Sequence, residues 1–101
     1  MKLYIAGPMS GLPEFNYPAF HAAAEQLRGL GYEVESPAEP GQVDGWDWLD
    51  YMRRGLRQLL ACDGVALLPG WHNSRGATTE CNVAESLGLP TRRIDDWEVI
   101  A

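Results

Sequence analysis

The sequence predicts an α/β domain with a small, doubly wound (flavodoxin- or Rossmann-like) parallel sheet of four to five strands in the order 2-1-3-4, with helices on both faces. Three observations carry this reading. Short apolar runs alternate with stretches of helical periodicity along the whole chain, and that alternation implies a parallel sheet. Right-handed crossovers between parallel strands then favour a doubly wound order. The run GVALLP (64–69) is apolar without a polar alternation, as expected of a central strand buried on both faces.

The elements follow in order. KLYIA (2–6), closed by Gly7-Pro8, is the first strand. GPMSGLPEFN (7–16) holds two Gly and two Pro and is a loop. Asn16 is placed to cap the next helix, with Pro18 in its first turn, where a missing N–H costs little. Phe20, Ala23, Ala24, Leu27 and Leu30 recur at helical spacing, and Gly29 and Gly31 end the run. YEVES (32–36) alternates as a second strand, and PAEPGQVDG (37–45) is loop. Asp44 or Gly45 opens a second helix whose expected inner face is Trp46, Leu49, Met52, Leu56 and Leu59 or Leu60. Gly55 interrupts it, at a cost of about 1 kcal/mol relative to Ala. After the strand at 64–69 and the loop GWHNSRG (70–76), a third helix is expected over 77–87, stopped by Gly88 and Pro90. TRRI (91–94) is a fourth strand, and DDWEVIA a tail with room for a short edge strand.

The chain has 101 residues, enough for one domain over 1–101 and one modest core. Its net charge of −6 argues against duplex nucleic acid as a partner, because phosphate neutralisation dominates that affinity. Arg53, Arg54 and Arg57 form a local basic cluster, readable as a solvated helix face or as a contact for one phosphate. Cys62 and Cys81 have no metal-ligand spacing. They read as small buried thiols, which fit a reducing compartment. No apolar stretch reaches the roughly 20 residues needed to span a membrane, and no signal peptide is expected. The expected location is the cytoplasm. No metal and no cofactor are expected.

In a doubly wound sheet, ligands bind beyond the carboxyl ends of the strands, where the winding reverses. The segments placed there are 7–16 and 69–76. SRGATTEC (74–81) carries Ser74, Gly76, Ala77 and Glu80 into a helix start. Free N–H groups and the positive end of the dipole make that start a phosphate cradle. Glu80, about one turn on, is positioned to attack the anomeric carbon of a bound sugar or to stabilise an oxocarbenium ion. An ordinary helix start uses the same residue types for capping alone, so both readings stand at this point. Tyr4 is a core aromatic with its hydroxyl at the rim. His21 and His72 are solvent-facing, His72 lying within the candidate loop. Trp46 is assigned to the core. Trp71 is assigned to a ligand wall or a subunit contact.

Taken together, YIAGPMSG, CDGVALLPGW and SRGATTECNVAESLGLP resemble the nucleoside 2-deoxyribosyltransferase-like superfamily, most of all its short, often phage-borne members. The resemblance runs over residues 3–94. It implies the same small doubly wound sheet and an enzyme cleaving an N-glycosidic bond, either a nucleoside 5′-monophosphate N-glycosidase or a 2′-deoxyribosyltransferase. It implies Glu80 as nucleophile and Tyr4 as its hydrogen-bonding partner. It matches the family's Gly-bearing loop to Gly7 and Gly11, and its hydrolase pattern to Ser74 and Gly76; Pro8 and Met9 between those glycines, Ala77 at the helix start and Trp71 after the central strand are the other expected substrate contacts. Ser74, where the transferases carry Asp, tilts the ligand towards a nucleotide over a nucleoside. A homodimer or higher homo-oligomer is implied as well. Two departures stand out: Ser10 replaces a first-loop Arg of the hydrolases, and Gly55 replaces the helix Asp that protonates the leaving base. Asp47 and Asp50 lie one to two turns earlier, and Asp63 reads as a turn residue. The second departure leaves an alternative open, a catalytically impaired protein that binds a nucleotide or an ADP-ribose-type signal.

Overall fold

Strand β1 (Lys2–Ala6) forms over KLYIA, and its alternation divides the molecule. Leu3 and Ile5 enter one apolar layer, Tyr4 and Ala6 the other, as a side-chain period of two requires. The computed structural model describes residues 1–100. Within it, β2 (Glu33–Glu35), β3 (Gly64–Leu67) and β4 (Thr91–Arg93) complete a four-stranded sheet in the order β2-β1-β3-β4. Each neighbouring pair is parallel, with Tyr4 beside Glu35 on one side and Val65 on the other. The expected order and winding are those observed.

Helix α1 (Tyr17–Gly29) covers the Leu3/Ile5 face with Phe20, Ala23, Ala24 and Leu27. Helices α2 (Trp48–Leu60) and α3 (Arg75–Ser86) cover the opposite face, through Leu59 and through Ala77, Cys81 and Ala84. Small residues on α3 let that helix sit close to the sheet, so that a side chain on its inner face reaches Tyr4. Among the described residues, no helix is long and apolar enough to cross a membrane.

Several elements differ from expectation. Asn16 occupies the N-cap position of α1 but in a left-handed conformation (φ 60°), with no side-chain cap. Its amide donates instead to the Pro8 carbonyl at 3.0 Å, tying the first loop to the helix start. Helix α2 begins at Trp48, capped by Asp47. Asp47 accepts from the Asp50 N–H and Asp50 accepts from the Asp47 N–H, both at 3.0 Å, a reciprocal pair that satisfies two orphan donors. The later start leaves Trp46 outside the helix and exposed, and the helix turns Leu49 and Leu60 outward (52% and 62% exposed). Its buried residues are Gly55 and Leu59. Helix α3 starts at Arg75, capped by Ser74, whose Oγ accepts the Ala77 N–H at 3.2 Å. The tail makes a short 3-10 turn (Ile94–Asp96), with no edge strand among the described residues. It then buries Trp97 edge-on against Tyr32, an anchor that the sequence reading passed over.

Candidate active site

Two close approaches build the site. At the end of β1 a Cβ on Gly7 would lie 2.7 Å from Leu68 Cβ, so only glycine lets the first loop leave between the two central strands. The loop then turns over the sheet through Glu14, Phe15 and Asn16, all with positive φ, a region costly for residues with a side chain. On the other side α2 passes directly over β1 and α3. A Cβ on Gly55 would lie 2.8 Å from Glu80 Oε2 and 2.9 Å from the Tyr4 hydroxyl.

A cavity of about 670 Å³ opens beyond the carboxyl ends of the strands. Its walls come from the loop after β1, from the start of α1, from the loop after β2 running into α2, and from the start of α3. At its floor the Tyr4 hydroxyl donates to Glu80 Oε2, with Tyr4 fully buried and Glu80 7% exposed. Burial pushes the Glu80 carboxyl up to about 7, against a smaller downward pull from the Tyr4 hydrogen bond. Burial, and then the neighbouring Glu80 charge, hold the Tyr4 phenol well above its usual range. Glu80 is thus a desolvated carboxyl whose hydrogen-bond partner among the described residues is a neutral hydroxyl. One oxygen is fixed by Tyr4 and the other is available to a ligand.

The charges of the rim are stacked on aromatic rings. The Arg75 guanidinium lies 4.1 Å from the Trp48 ring centroid. Arg54 lies 5.0 Å from that of Trp46 and 5.4 Å from that of Tyr51, and it donates to the Gly41 carbonyl at 2.6 Å. Such stacking holds a cation in place while its remaining donors face the opening. The Tyr51 hydroxyl is occupied by the Val43 backbone, accepting from its N–H and donating to its carbonyl.

The cavity brings together Tyr4 and Glu80, the loop residues Gly7, Pro8 and Met9, and the helix-start residues Ser74, Gly76 and Ala77. Gly11 and Trp71 are not among its lining residues. Gly11 is exposed at the outer bend of the loop. Trp71 follows Gly70, which takes φ 84°. It packs against the layer under α2 and α3 and borders a separate, smaller depression together with His72. The aromatic walls come instead from Trp46 and Trp48, with Phe15, Tyr17 and Tyr51. Of the basic cluster, Arg54 enters the lining, while Arg53 and Arg57 are exposed. Asp63 accepts the Lys2 N–H at 2.8 Å, at the opposite end of the strands. Among the described residues, no group of three His, Cys, Asp or Glu side chains is placed to hold a metal ion.

Of the inner face expected for the second helix, Trp46 and Met52 line the cavity, joined by Trp48 and Gly55, which that face did not include. Arg75 had no signal of its own beside the more conspicuous Ser74 and Glu80.

Solved structures of several proteins share this architecture. A 2-deoxyribosyltransferase from Bacillus psychrosaccharolyticus superposes with a TM-score of 0.70 at 22% identity, covering 90% of this chain and 69% of the other. A conserved protein from Enterococcus faecalis V583 gives 0.70 at 26% identity, covering 90% and 60%. A 2-desoxiribosyltransferase from Leishmania mexicana gives 0.69 at 17% identity, covering 91% and 62%. The chain therefore spans between 60% and 69% of the length of these relatives. Among curated proteins, none matches the sequence. The fold is that of the 2-deoxyribosyltransferase-like proteins. Residues 1–92 match a family model described as a domain of unknown function (DUF4406), and the chain belongs to that family.

Proposed function

We propose that this protein cleaves an N-glycosidic bond of a nucleoside 5′-monophosphate, with Glu80 as nucleophile and Tyr4 holding it in position. The observation that carries this reading is a buried carboxylate, fixed through one oxygen, on the floor of a cavity beyond the strand ends. Burial strips water from the nucleophile, and the Tyr4 hydrogen bond restricts its rotamers, so that the free oxygen is pre-aimed at C1′. The 5′-phosphate is assigned to the start of α3. There Ser74, Arg75 and Gly76 line the cavity, offering the Ser74 hydroxyl, the Arg75 and Gly76 N–H groups at the positive end of the helix and the Arg75 guanidinium, while the Ala77 N–H is held by Ser74. Water completes the hydrolysis. A second base in its place gives the transferase reaction, the activity named for two of the structural relatives. We also assign a homo-oligomer, because α2 presents Leu49 and Leu60 to the surface.

The test is release of free base from a panel of ribo- and deoxyribonucleoside monophosphates, with Glu80→Gln measured alongside. Release by the native chain that is lost in Glu80→Gln is the expected result. Tight binding with no release from any substrate would instead identify a nucleotide-binding protein, the reading favoured by a lining whose other carboxyl, Asp47, is engaged in capping α2.

A further inference from the structure

Resting on Glu80 as nucleophile, we propose that the preferred substrates carry a base that is already cationic, an N-ribosylated pyridinium or an N7-alkylpurinium. Such a base departs without receiving a proton. When a neutral base leaves C1′, the electron pair of the broken bond stays on a ring nitrogen and has to be protonated. An acid placed for this typically contributes 10²–10⁴ in rate, and glycoside-cleaving sites supply it from a second carboxyl about 5–9.5 Å from the first.

This cavity has no such group beside Glu80. Asp47 is the other carboxyl in its lining. It caps α2 eight residues before Gly55, the α2 residue that touches Glu80. At 1.5 Å of rise per residue the separation along the helix is about 12 Å. The Asp47 carboxylate is also committed to the Asp50 N–H. The side of Glu80 that faces α2 is closed outright, since even a methyl group at Gly55 would collide with Oε2. The Tyr4 proton is given to Glu80 itself, the Tyr51 hydroxyl is held by Val43, and arginines do not release protons. No histidine lines the cavity. The Tyr17 phenol is the remaining aromatic hydroxyl.

The second observation is the missing counter-ion. The ion pairs among the described residues are Arg28–Glu39 and Arg93–Asp96, and Glu80 is in neither. A buried carboxylate without a cation is costly, and a cationic base beside it supplies the absent charge. Trp46, Trp48 and Tyr51 already carry arginines on their rings, whereas among the described residues Phe15 and Tyr17, 6.2 Å apart, carry none. They are the rings free to receive a flat cation.

The step balances without a further reagent. A Glu80 oxygen bonds to C1′ as the C1′–N bond breaks, and its electron pair neutralises the positive ring. Water then adds to C1′, the ester C–O bond returns its pair to Glu80, and the proton of that water passes to solvent.

The experiment compares kcat/KM for base release from nicotinamide mononucleotide and 7-methylguanosine 5′-monophosphate with that from AMP, dAMP and unmethylated GMP. The native chain, Glu80→Gln and Tyr17→Phe are all measured. The expected result is a preference for the cationic bases of about 100-fold or more, 7-methylguanosine 5′-monophosphate over GMP included, with all release lost in Glu80→Gln. Equal or faster release of neutral bases overturns the inference and leaves the N-glycosidase reading standing. Selective loss of that neutral-base activity in Tyr17→Phe would then assign the missing acid. Release of no base from any of the five compounds overturns both readings together.

Discussion

Gly55 sits so close to Glu80 that a Cβ built on it would lie 2.8 Å from the carboxylate oxygen Oε2. Helix α2 therefore packs by its backbone against the Tyr4–Glu80 pair, and the glycine that interrupts the helix is what lets it do so. Replacement by alanine improves helix propensity by about 1 kcal/mol but forces overpacking that typically costs 1–3 kcal/mol. The expected outcome for Gly55→Ala is a lower melting temperature together with a loss of base release, read by thermal unfolding and by the release assay on the same preparation. A more stable variant with full activity would refute this packing relationship.

The Glu80 carboxyl is raised to about 7, first by burial, so the fold favours its protonated form. Between the ordinary carboxyl value and about 7 the native state holds a proton that the unfolded chain has released. The stabilisation is complete below the unfolded value and is lost as pH rises through about 7. Native stability should fall by on the order of 3 kcal/mol over that interval relative to Glu80→Gln, measured as the difference between their denaturation midpoints from pH 4 to 8. Attack on C1′ requires the ionised form, so kcat/KM should rise with pH through the same region.

Tyr4→Phe removes the hydrogen bond that pulls the Glu80 carboxyl down and leaves a buried oxygen without its donor. A destabilisation of about 1–3 kcal/mol is expected. The acidic limb of the pH–rate profile should move to higher pH. An unmoved limb would show that the hydroxyl does not tune the carboxylate.

Asp47→Ala removes the reciprocal cap of α2 and should cost about 1 kcal/mol. Asp47→Asn retains an N-cap acceptor and should cost only a few tenths. Denaturant unfolding of the two variants separates a capping role from a general one for negative charge at that position.

Arg75→Ala should weaken recognition of the 5′-phosphate. A charge-assisted hydrogen bond contributes about 1.5–3 kcal/mol, so KM for the monophosphate should rise by roughly tenfold or more, while the corresponding nucleoside is little affected. Equal effects on both would move the phosphate away from the start of α3.

The frame of the protein was readable because its signals are local. The alternation of KLYIA, the period of Phe20, Ala23 and Leu27, and the apolar run at 64–69 each report on their own element, and right-handed crossovers between them favour the sheet order. Ser74 and Glu80 were readable as candidates from the helix start at SRGATTEC, and Tyr4 from the resemblance. The rim was not. Trp46 looks like a core residue until the Asp47 cap fixes where α2 begins, and a shift of two residues turns a buried stripe into a cavity wall. Trp71 could be read as a ligand wall or a subunit contact, and nothing local showed that it would pack under α2 and α3. Arg54 and Arg75 acquire meaning only through the rings they rest on, and those pairings cross elements.

The most direct measurement is capture of the covalent intermediate. A 2′-fluorinated pyridinium riboside 5′-phosphate slows the water step, and peptide mass spectrometry then locates the attached sugar phosphate. Attachment to Glu80, absent from Glu80→Gln, is the expected result. Free base released in step with a modification on any other residue, or with full activity in Glu80→Gln, would contradict the role assigned to this carboxylate.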